Sequence, residues 1–195
     1  MTVIEKELPE GGDRMLRGTP GQTIGPFFKF GLEYADGPYV VPPYSPGAVH
    51  ISGIVRDGAG FAIPDALVEI WGALPDGTQN TERGSLHRDG HRFTGFGRSA
   101  TDDEGRFFFW TREPGATEAG KAPFFAVLLF ARGLPNKLHT RIYLPDDEAA
   151  LTADPFLASL TAEERATLIA RRNEDGSLSH DLWMQGEKET VFLAY

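Results

Sequence analysis

Residues 50–72 read HISGIVRDGAGFAIPDALVEIWG, and this stretch decides the fold class. It holds two short runs that are rich in β-branched and other apolar residues. A turn at residues 57–58 (Asp-Gly) and a corner at residues 64–65 (Pro-Asp) separate the two runs. Because glycine and proline punctuate a chain at its turns, this pattern predicts two neighbouring β-strands.

The β pattern continues through the rest of the chain. Residues 93–110 predict two strands joined by a tight turn at residues 103–105. The segment APFFAVLLFA, residues 122–131, is apolar at every position, which is typical of a strand buried on both faces. Further short strands are predicted at residues 139–144, 179–185 and 190–195. The chain is therefore predicted to be mainly β, folded as an antiparallel β-sandwich.

One or two short helices are expected beside the strands. Thr161 and Glu164 form a capping box, and the apolar spacing that follows predicts a helix over about residues 161–172. Each of the three tryptophans lies in a predicted strand, so that all three are expected in the core: Trp71, Trp110 and Trp183.

The amino-acid composition of the sequence changes near residue 49. Residues 1–48 are rich in glycine and proline and predict an N-terminal arm with loops, whereas residues 49–195 predict one sandwich domain. The arm contains TPGQTIGPFFKFGL, residues 19–32, whose two prolines and three glycines indicate an extended segment that forms no helix. Its three phenylalanines need an apolar surface to cover, either on this chain or on another.

Charge and composition exclude several classes of function. With 19 Lys and Arg against 28 Asp and Glu, the formal net charge is −9 and no basic patch stands out, which disfavours nucleic acid and anionic membranes as partners. The chain has no cysteine, which fits a cytoplasmic protein and excludes thiolate metal sites and cysteine nucleophiles. The longest apolar run, residues 122–131, is about half of the ~20 residues that span a bilayer.

The residues alone reveal little catalytic chemistry. The five histidines are dispersed except for His87 and His91, which flank a glycine in a turn-like setting and offer no helical face for a metal. No phosphate-binding glycine loop and no nucleophile elbow occurs. Composition and motifs therefore predict a β-rich domain and go no further.

A family resemblance extends this interpretation. Several stretches, in the same order along nearly the whole chain, resemble the intradiol ring-cleaving dioxygenases: residues 19–32, 50–71, 95–107, 128–133, 137–148 and 186–195. The resemblance implies a β-sandwich and an alpha chain that pairs with a homologous beta chain in a higher alpha-beta oligomer. It also implies a ferric ion that opens the ring of protocatechuate, 3,4-dihydroxybenzoate, with O2 to give 3-carboxy-cis,cis-muconate.

The resemblance further implies that this chain does not bind the iron. Iron-bearing chains of the family supply two tyrosines and a His-x-His pair, because anionic phenolate stabilises the ferric state. Here the His-x-His position reads Phe124-Phe125-Ala126, and no tyrosine lies between Tyr44 and Tyr143. We therefore expect no metal ligand and no catalytic residue in this chain alone, with Fe(III) held by the beta chain.

The same resemblance assigns substrate-binding residues. Those expected to line the substrate cavity of the beta chain are Thr23, Gly25, Pro26, Phe27 and Arg132. Other interpretations remain open: Arg132 as an exposed loop residue, Thr23 bonding its own backbone, and the whole chain as a non-catalytic binding module or a purely structural partner subunit.

Overall fold

The computed structural model of the chain describes residues 21–81 and 92–194. Two sheets pack face to face. The first sheet holds five strands: β1 Ala48–Arg56, β4 Arg106–Arg112, β7 Arg171–Arg172, β8 Leu178–Ser179 and β9 Leu182–Trp183. The second sheet holds four, in the order β3 Phe96–Ala100, β2 Leu67–Gly72, β5 Phe124–Phe130 and β6 Leu138–Tyr143. All pairings are antiparallel except that β8 and β9 run parallel to β1. The predicted sandwich is thus confirmed.

The core lies between the two sheets and follows the alternation of the strands. Side chains of β1 and β4 meet those of β2 and β5, and the largest of them are Ile51, Ile70, Phe107, Phe109, Phe125 and Leu129. Each is at most 1% exposed. Loss of one such phenylalanine typically costs about 3–5 kcal/mol, so this layer supports everything attached to the sheets.

Strand β5 is less buried than its composition predicts. Phe125, Val127 and Leu129 face the core, but on the other face Ala126 is exposed and its neighbours are only partly buried. The prediction of burial on both faces was wrong. The outer face is covered at one end by the arm, whereas an open cleft lies over its middle.

Four short helices occur among the described residues: α1 Phe27–Leu32, α2 Glu148–Ala153, α3 Pro155–Ala158 and α4 Ala162–Ala166. The capping box of Thr161 and Glu164 is present as predicted. The predicted extension of this helix to residue 172 is wrong, because the chain turns to bridge Tyr143. Tyr143 donates to the carbonyl of Leu168, and Ala170 donates to that of Tyr143. Strand pairing thus ends the helix after little more than one turn.

The arm also departs from its prediction. Residues 19–32 were expected to form no helix, yet α1 occupies six of them. No side chain caps α1, and Gly31 lies within it. Tertiary contacts therefore override the weak local propensity, as is common for short helices.

Two other expectations fail near the surface. Trp71 is 51% exposed rather than in the core, because its alternation places it on the outer face of the second sheet. Trp110 and Trp183 are only partly buried and belong to neither core cluster of the described residues. The strand predicted at residues 179–185 is broken into the end of β8 and the two residues of β9, and residues 190–194 form no strand. That tail is held by isolated bonds, such as Leu193 N to the carbonyl of His139 at 2.8 Å. Among the described residues, no helix has the length and apolar character needed to span a bilayer.

Candidate functional site

The arm docks on the loop that follows β5. The backbone of Ile24 pairs with this loop in both directions: its N–H donates to the carbonyl of Leu134 at 2.7 Å, and Gly133 donates to the Ile24 carbonyl at 3.1 Å. Ile24 is buried, with 8% of its surface exposed. Thr23 and Gly25, on either side of this pair, are thereby held beside Arg132.

Helix α1 fixes the arm by a stacked ring and a lysine. Phe28 stacks on Phe130 of β5 with 5.5 Å between ring centroids. The Lys29 Nζ donates to the carbonyl of Pro64 at 2.7 Å, which ties α1 to the corner before β2. Phe27 and Phe30 point elsewhere and are 81% and 67% exposed. The helix thus rests on the chain by one side and presents two phenyl rings on the other.

The far end of α1 is held by a buried ion pair. Arg98 lies within salt-bridge distance of Glu69 at 2.6 Å, and its Nη1 donates to the carbonyl of Leu32 at 2.6 Å. Both charged side chains are largely buried, at 14% and 10% exposure. Its guanidinium also lies over the rings of Tyr34 and Phe96. Removing either charge would leave the other buried and unpaired, so this pair fixes where α1 ends.

Arg132 extends from the same loop into solvent. Its side chain is 64% exposed, and its Nε lies 3.0 Å from Oδ2 of Asp65. The two Nη groups have no partner among residues 21–81 and 92–194. A guanidinium in this state can bind a carboxylate with two parallel hydrogen bonds.

The structure brings the five predicted site residues together at one end of the second sheet. Thr23 and Gly25 flank the Ile24 pairing, Pro26 and Phe27 begin α1, and Arg132 lies in the partner loop. The hydroxyl of Thr23 makes no hydrogen bond within the part of the chain that the structure describes, so it does not bond its own backbone there. His87 and His91 lie outside the described residues.

A cleft of about 330 Å³ lies over the middle of the outer face of the second sheet, and none of the five predicted site residues lines it. Its walls include Trp71, Phe124, Ala126, His139 and Arg141. The position expected to read His-x-His in iron-bearing chains therefore faces this cleft with a phenyl ring and a methyl group. Burial, with a smaller effect of Lys137, lowers the pKa of His139, so its imidazole is neutral at pH 7.

These residues do not fit a ferric ion, which prefers hard anionic donors. Tyr143 contacts two residues of the cleft wall: its ring packs on Phe124, and its hydroxyl accepts from Arg141 Nη1 at 2.8 Å. Burial raises the pKa of Tyr143, which keeps the phenol protonated. Within the described residues, no group of three or more His, Cys, Asp or Glu side chains could hold a metal ion.

A larger cleft, of about 930 Å³, lies at the edge of the first sheet. His50, Trp110 and Arg112 line it. None of the five predicted site residues reaches it, and size alone does not make it the functional site. The exposed phenylalanines Phe27 and Phe30 and the exposed Arg132 lie instead at the arm and its neighbouring loop.

Sequence reasoning missed the residues that hold this site in place. Asp65, Lys29 and Glu69 each contact a partner far away in the chain, and no local motif marks them. The only local signal was the Pro64-Asp65 corner, which predicted a turn and nothing about its carboxylate.

Comparison with known proteins agrees with this geometry. The protocatechuate 3,4-dioxygenase alpha chain of Burkholderia cepacia is 36% identical over 194 residues, covering 91% of this chain and 98% of that relative. The corresponding alpha chain of Pseudomonas putida is 35% identical, covering 93% of this chain and 98% of its own length. The chain belongs to the protocatechuate 3,4-dioxygenase alpha-chain family. No family model matches it.

The chain also resembles a protocatechuate 3,4-dioxygenase beta chain over part of its length. The Burkholderia cepacia beta chain is 32% identical over 133 residues, which covers 64% of this chain and 56% of that beta chain. Solved intradiol dioxygenases share the fold: hydroxyquinol 1,2-dioxygenase from Pseudomonas putida DLL-E4 has a TM-score of 0.57 at 16% identity and covers 96% of this chain and 68% of its own. The dioxygenase domain from Streptomyces sp. SirexAA-E has a TM-score of 0.54 at 22% identity, covering 86% of this chain and 98% of its own.

Proposed function

We propose that this chain is the iron-free alpha subunit of a cytoplasmic protocatechuate 3,4-dioxygenase and that it completes a site whose Fe(III) is bound by a homologous beta chain. The observation that carries the proposal is the docked arm. The arm presents Phe27 and Phe30 outward, beside the exposed Arg132 of the loop after β5, on a chain whose own His-x-His position reads Phe124-Phe125-Ala126. The reaction would be intradiol cleavage of 3,4-dihydroxybenzoate with O2 to 3-carboxy-cis,cis-muconate.

The exposed rings support a role at a chain interface. Two phenylalanines on one side of a six-residue helix, Phe27 and Phe30, remain largely uncovered by the residues that the structure describes. Burying one such ring typically contributes about 1.5–3 kcal/mol, so a partner that covers both gains a substantial part of its binding free energy there. The backbone at Gly25 and Pro26 can approach an aromatic ring closely, so it would add a flat wall to the proposed site.

Thr23 and Phe27 of the arm and Arg132 of the neighbouring loop would each have a physical role toward the substrate. The iron, when bound by the beta chain, supplies the activation of the catechol toward O2. Arg132 would bind the substrate carboxylate through its two Nη groups, and Thr23 would offer a hydroxyl at the cavity mouth. Phe27 would place an apolar surface against the aromatic ring of the substrate and so exclude water from it.

Arg132→Ala in the co-expressed complex tests this role. We expect kcat/KM for protocatechuate to fall by about 10- to 150-fold, which is the factor equivalent to one charge-assisted hydrogen bond. Turnover of catechol, which lacks the carboxylate, should change little. The matched control is Arg106→Ala, because Arg106 is 63% exposed and also pairs with acidic side chains, but on the first sheet.

The outcome separates the proposal from its rivals. Unchanged steady-state kinetics of the Arg132 variant would remove this residue from the site and favour a purely structural subunit. A chain that assembles with no beta partner at all would favour a separate binding module.

A further inference from the structure

Asp65 is a buried carboxylate whose charge is directed at Arg132. Its side chain is 10% exposed, and Oδ2 lies 3.0 Å from the Arg132 Nε. The other oxygen, Oδ1, is buried and accepts no hydrogen bond from the described residues. A carboxylate placed this way is costly unless a cation stays beside it, so Asp65 strongly favours the arrangement in which Arg132 is near.

The backbone on both sides of Asp65 is rigid. Buried Thr101 holds the corner: its hydroxyl donates to the Ile63 carbonyl at 2.8 Å and accepts from the N–H of Ala66 at 3.0 Å. The Pro64 carbonyl accepts from Lys29 of α1 at 2.7 Å. The carboxylate is therefore fixed from the core side and from the arm side before any partner arrives.

The loop of Arg132 is fixed as well. Ala131 is buried at 1% exposure, and Gly133, with a φ of +89°, donates its N–H to Ile24 of the arm. The backbone of Arg132 is thus held by the arm, and its side chain by Asp65. An exposed arginine without such an anchor would sample many rotamers.

We propose that Asp65 is a positioning residue that holds Arg132 by its Nε and leaves the two Nη groups to bind the carboxylate of an aromatic acid. The inference rests on the proposed function of the arm. It adds that affinity for the carboxylate depends on a buried partner that never touches the substrate. Substrates without a carboxylate gain nothing from Asp65.

The test is Asp65→Asn in the co-expressed alpha-beta complex, assayed with protocatechuate and with catechol. The amide keeps the shape of the side chain and removes its charge. We expect KM for protocatechuate to rise about 5- to 30-fold because ordering a free arginine side chain carries a large entropic cost. The kcat for protocatechuate and both constants for catechol should stay within about two-fold of wild type.

Two controls separate positioning from general damage. Asp154→Asn alters another buried carboxylate, which caps α3 and accepts from Ala122 N at 3.0 Å, so it should lower stability without changing the ratio between the two substrates. The double variant Asp65→Asn with Arg132→Ala should be no worse than Arg132→Ala alone, since Asp65 acts only through that side chain.

The outcomes distinguish this inference from the proposed function. If Arg132→Ala impairs protocatechuate turnover but Asp65→Asn does not, the positioning role is wrong while the role of Arg132 stands. If Asp65→Asn impairs both substrates equally, its effect is structural and the inference is overturned. If neither variant discriminates between the substrates, the role of Arg132 fails as well. Should Asp65→Asn not assemble, Asp65→Glu displaces the guanidinium while keeping the charge and must also raise KM selectively for protocatechuate.

Discussion

His180 is the most perturbed imidazole of the described chain. Complete burial lowers its pKa to about 4, although a backbone hydrogen bond at Ile169 partly opposes this. Its Nε2 is buried without a partner in the described residues. The ring is therefore neutral in the folded protein at pH 7, and only unfolding lets it bind a proton at its ordinary pKa of 6.5.

The His180 imidazole makes the stability of the folded chain depend on pH between 6.5 and about 4. In the unfolded chain His180 binds a proton below pH 6.5, whereas in the folded chain it does so only near pH 4. The contribution of the neutral ring to the free energy of unfolding is therefore complete above pH 6.5 and is lost as the pH falls toward 4. The slope reaches about 1.4 kcal/mol per pH unit. We expect His180→Gln to flatten the fall in melting temperature of the assembled enzyme between pH 6.5 and 4.5.

His50→Gln is the matched control for that experiment. His50 is only partly buried, and its lowered pKa comes from burial opposed by Asp175. It should change the pH profile less than His180→Gln does. An unaltered profile in the His180 variant would show that this ring is not the titrating group.

Single residues also show why the site could be predicted only in part. Phe124 and Ala126 were identified because the family resemblance marks the His-x-His position, and the residues at that position can be read from the sequence of one chain. Asp65 was not identified, because its partner lies on another element and turns carry acidic residues routinely.

Helices and strands were predictable where local chemistry decides them. The capping box located the start of α4, and the turn at residues 103–105 located the β3–β4 connection. The end of α4 and the existence of α1 were not predictable, since bridging to Tyr143 and packing on Phe130 decide them. Both are long-range contacts, and local helix propensity does not account for such contacts.

Helix α1 allows a comparison of two neighbouring rings. Phe27→Ala removes a ring that is 81% exposed, so the unfolding free energy of this chain should change by less than about 0.5 kcal/mol. Affinity for the beta chain should fall, because the covered apolar area is lost. Titration of one purified chain with the other, followed by sedimentation, measures this.

Phe28→Ala is the counterpart, because Phe28 holds the arm on β5 by stacking on Phe130. It should both loosen the arm and weaken the complex. If Phe27→Ala leaves the affinity unchanged while Phe28→Ala reduces it, the exposed ring is not at the interface.

At the scale of the whole molecule, the residues that stabilise the fold and the residues of the proposed site lie on different faces of the second sheet. The layer between the sheets is closed, while the outer face of the second sheet carries the arm, the Arg132 loop and a cleft that Phe124 and Ala126 line. Half of the proposed site would belong to another chain. No pattern within one sequence could supply that half, so the family resemblance was needed to interpret the arm.

The most direct test of this division of labour is the iron content and O2 uptake with protocatechuate, measured for the chain alone and for the chain co-expressed with its beta partner. The account predicts a colourless, iron-free and inactive lone chain, and a coloured, active complex whose iron content follows the amount of beta chain. Stoichiometric iron and ring-opening O2 consumption by the lone chain would contradict it.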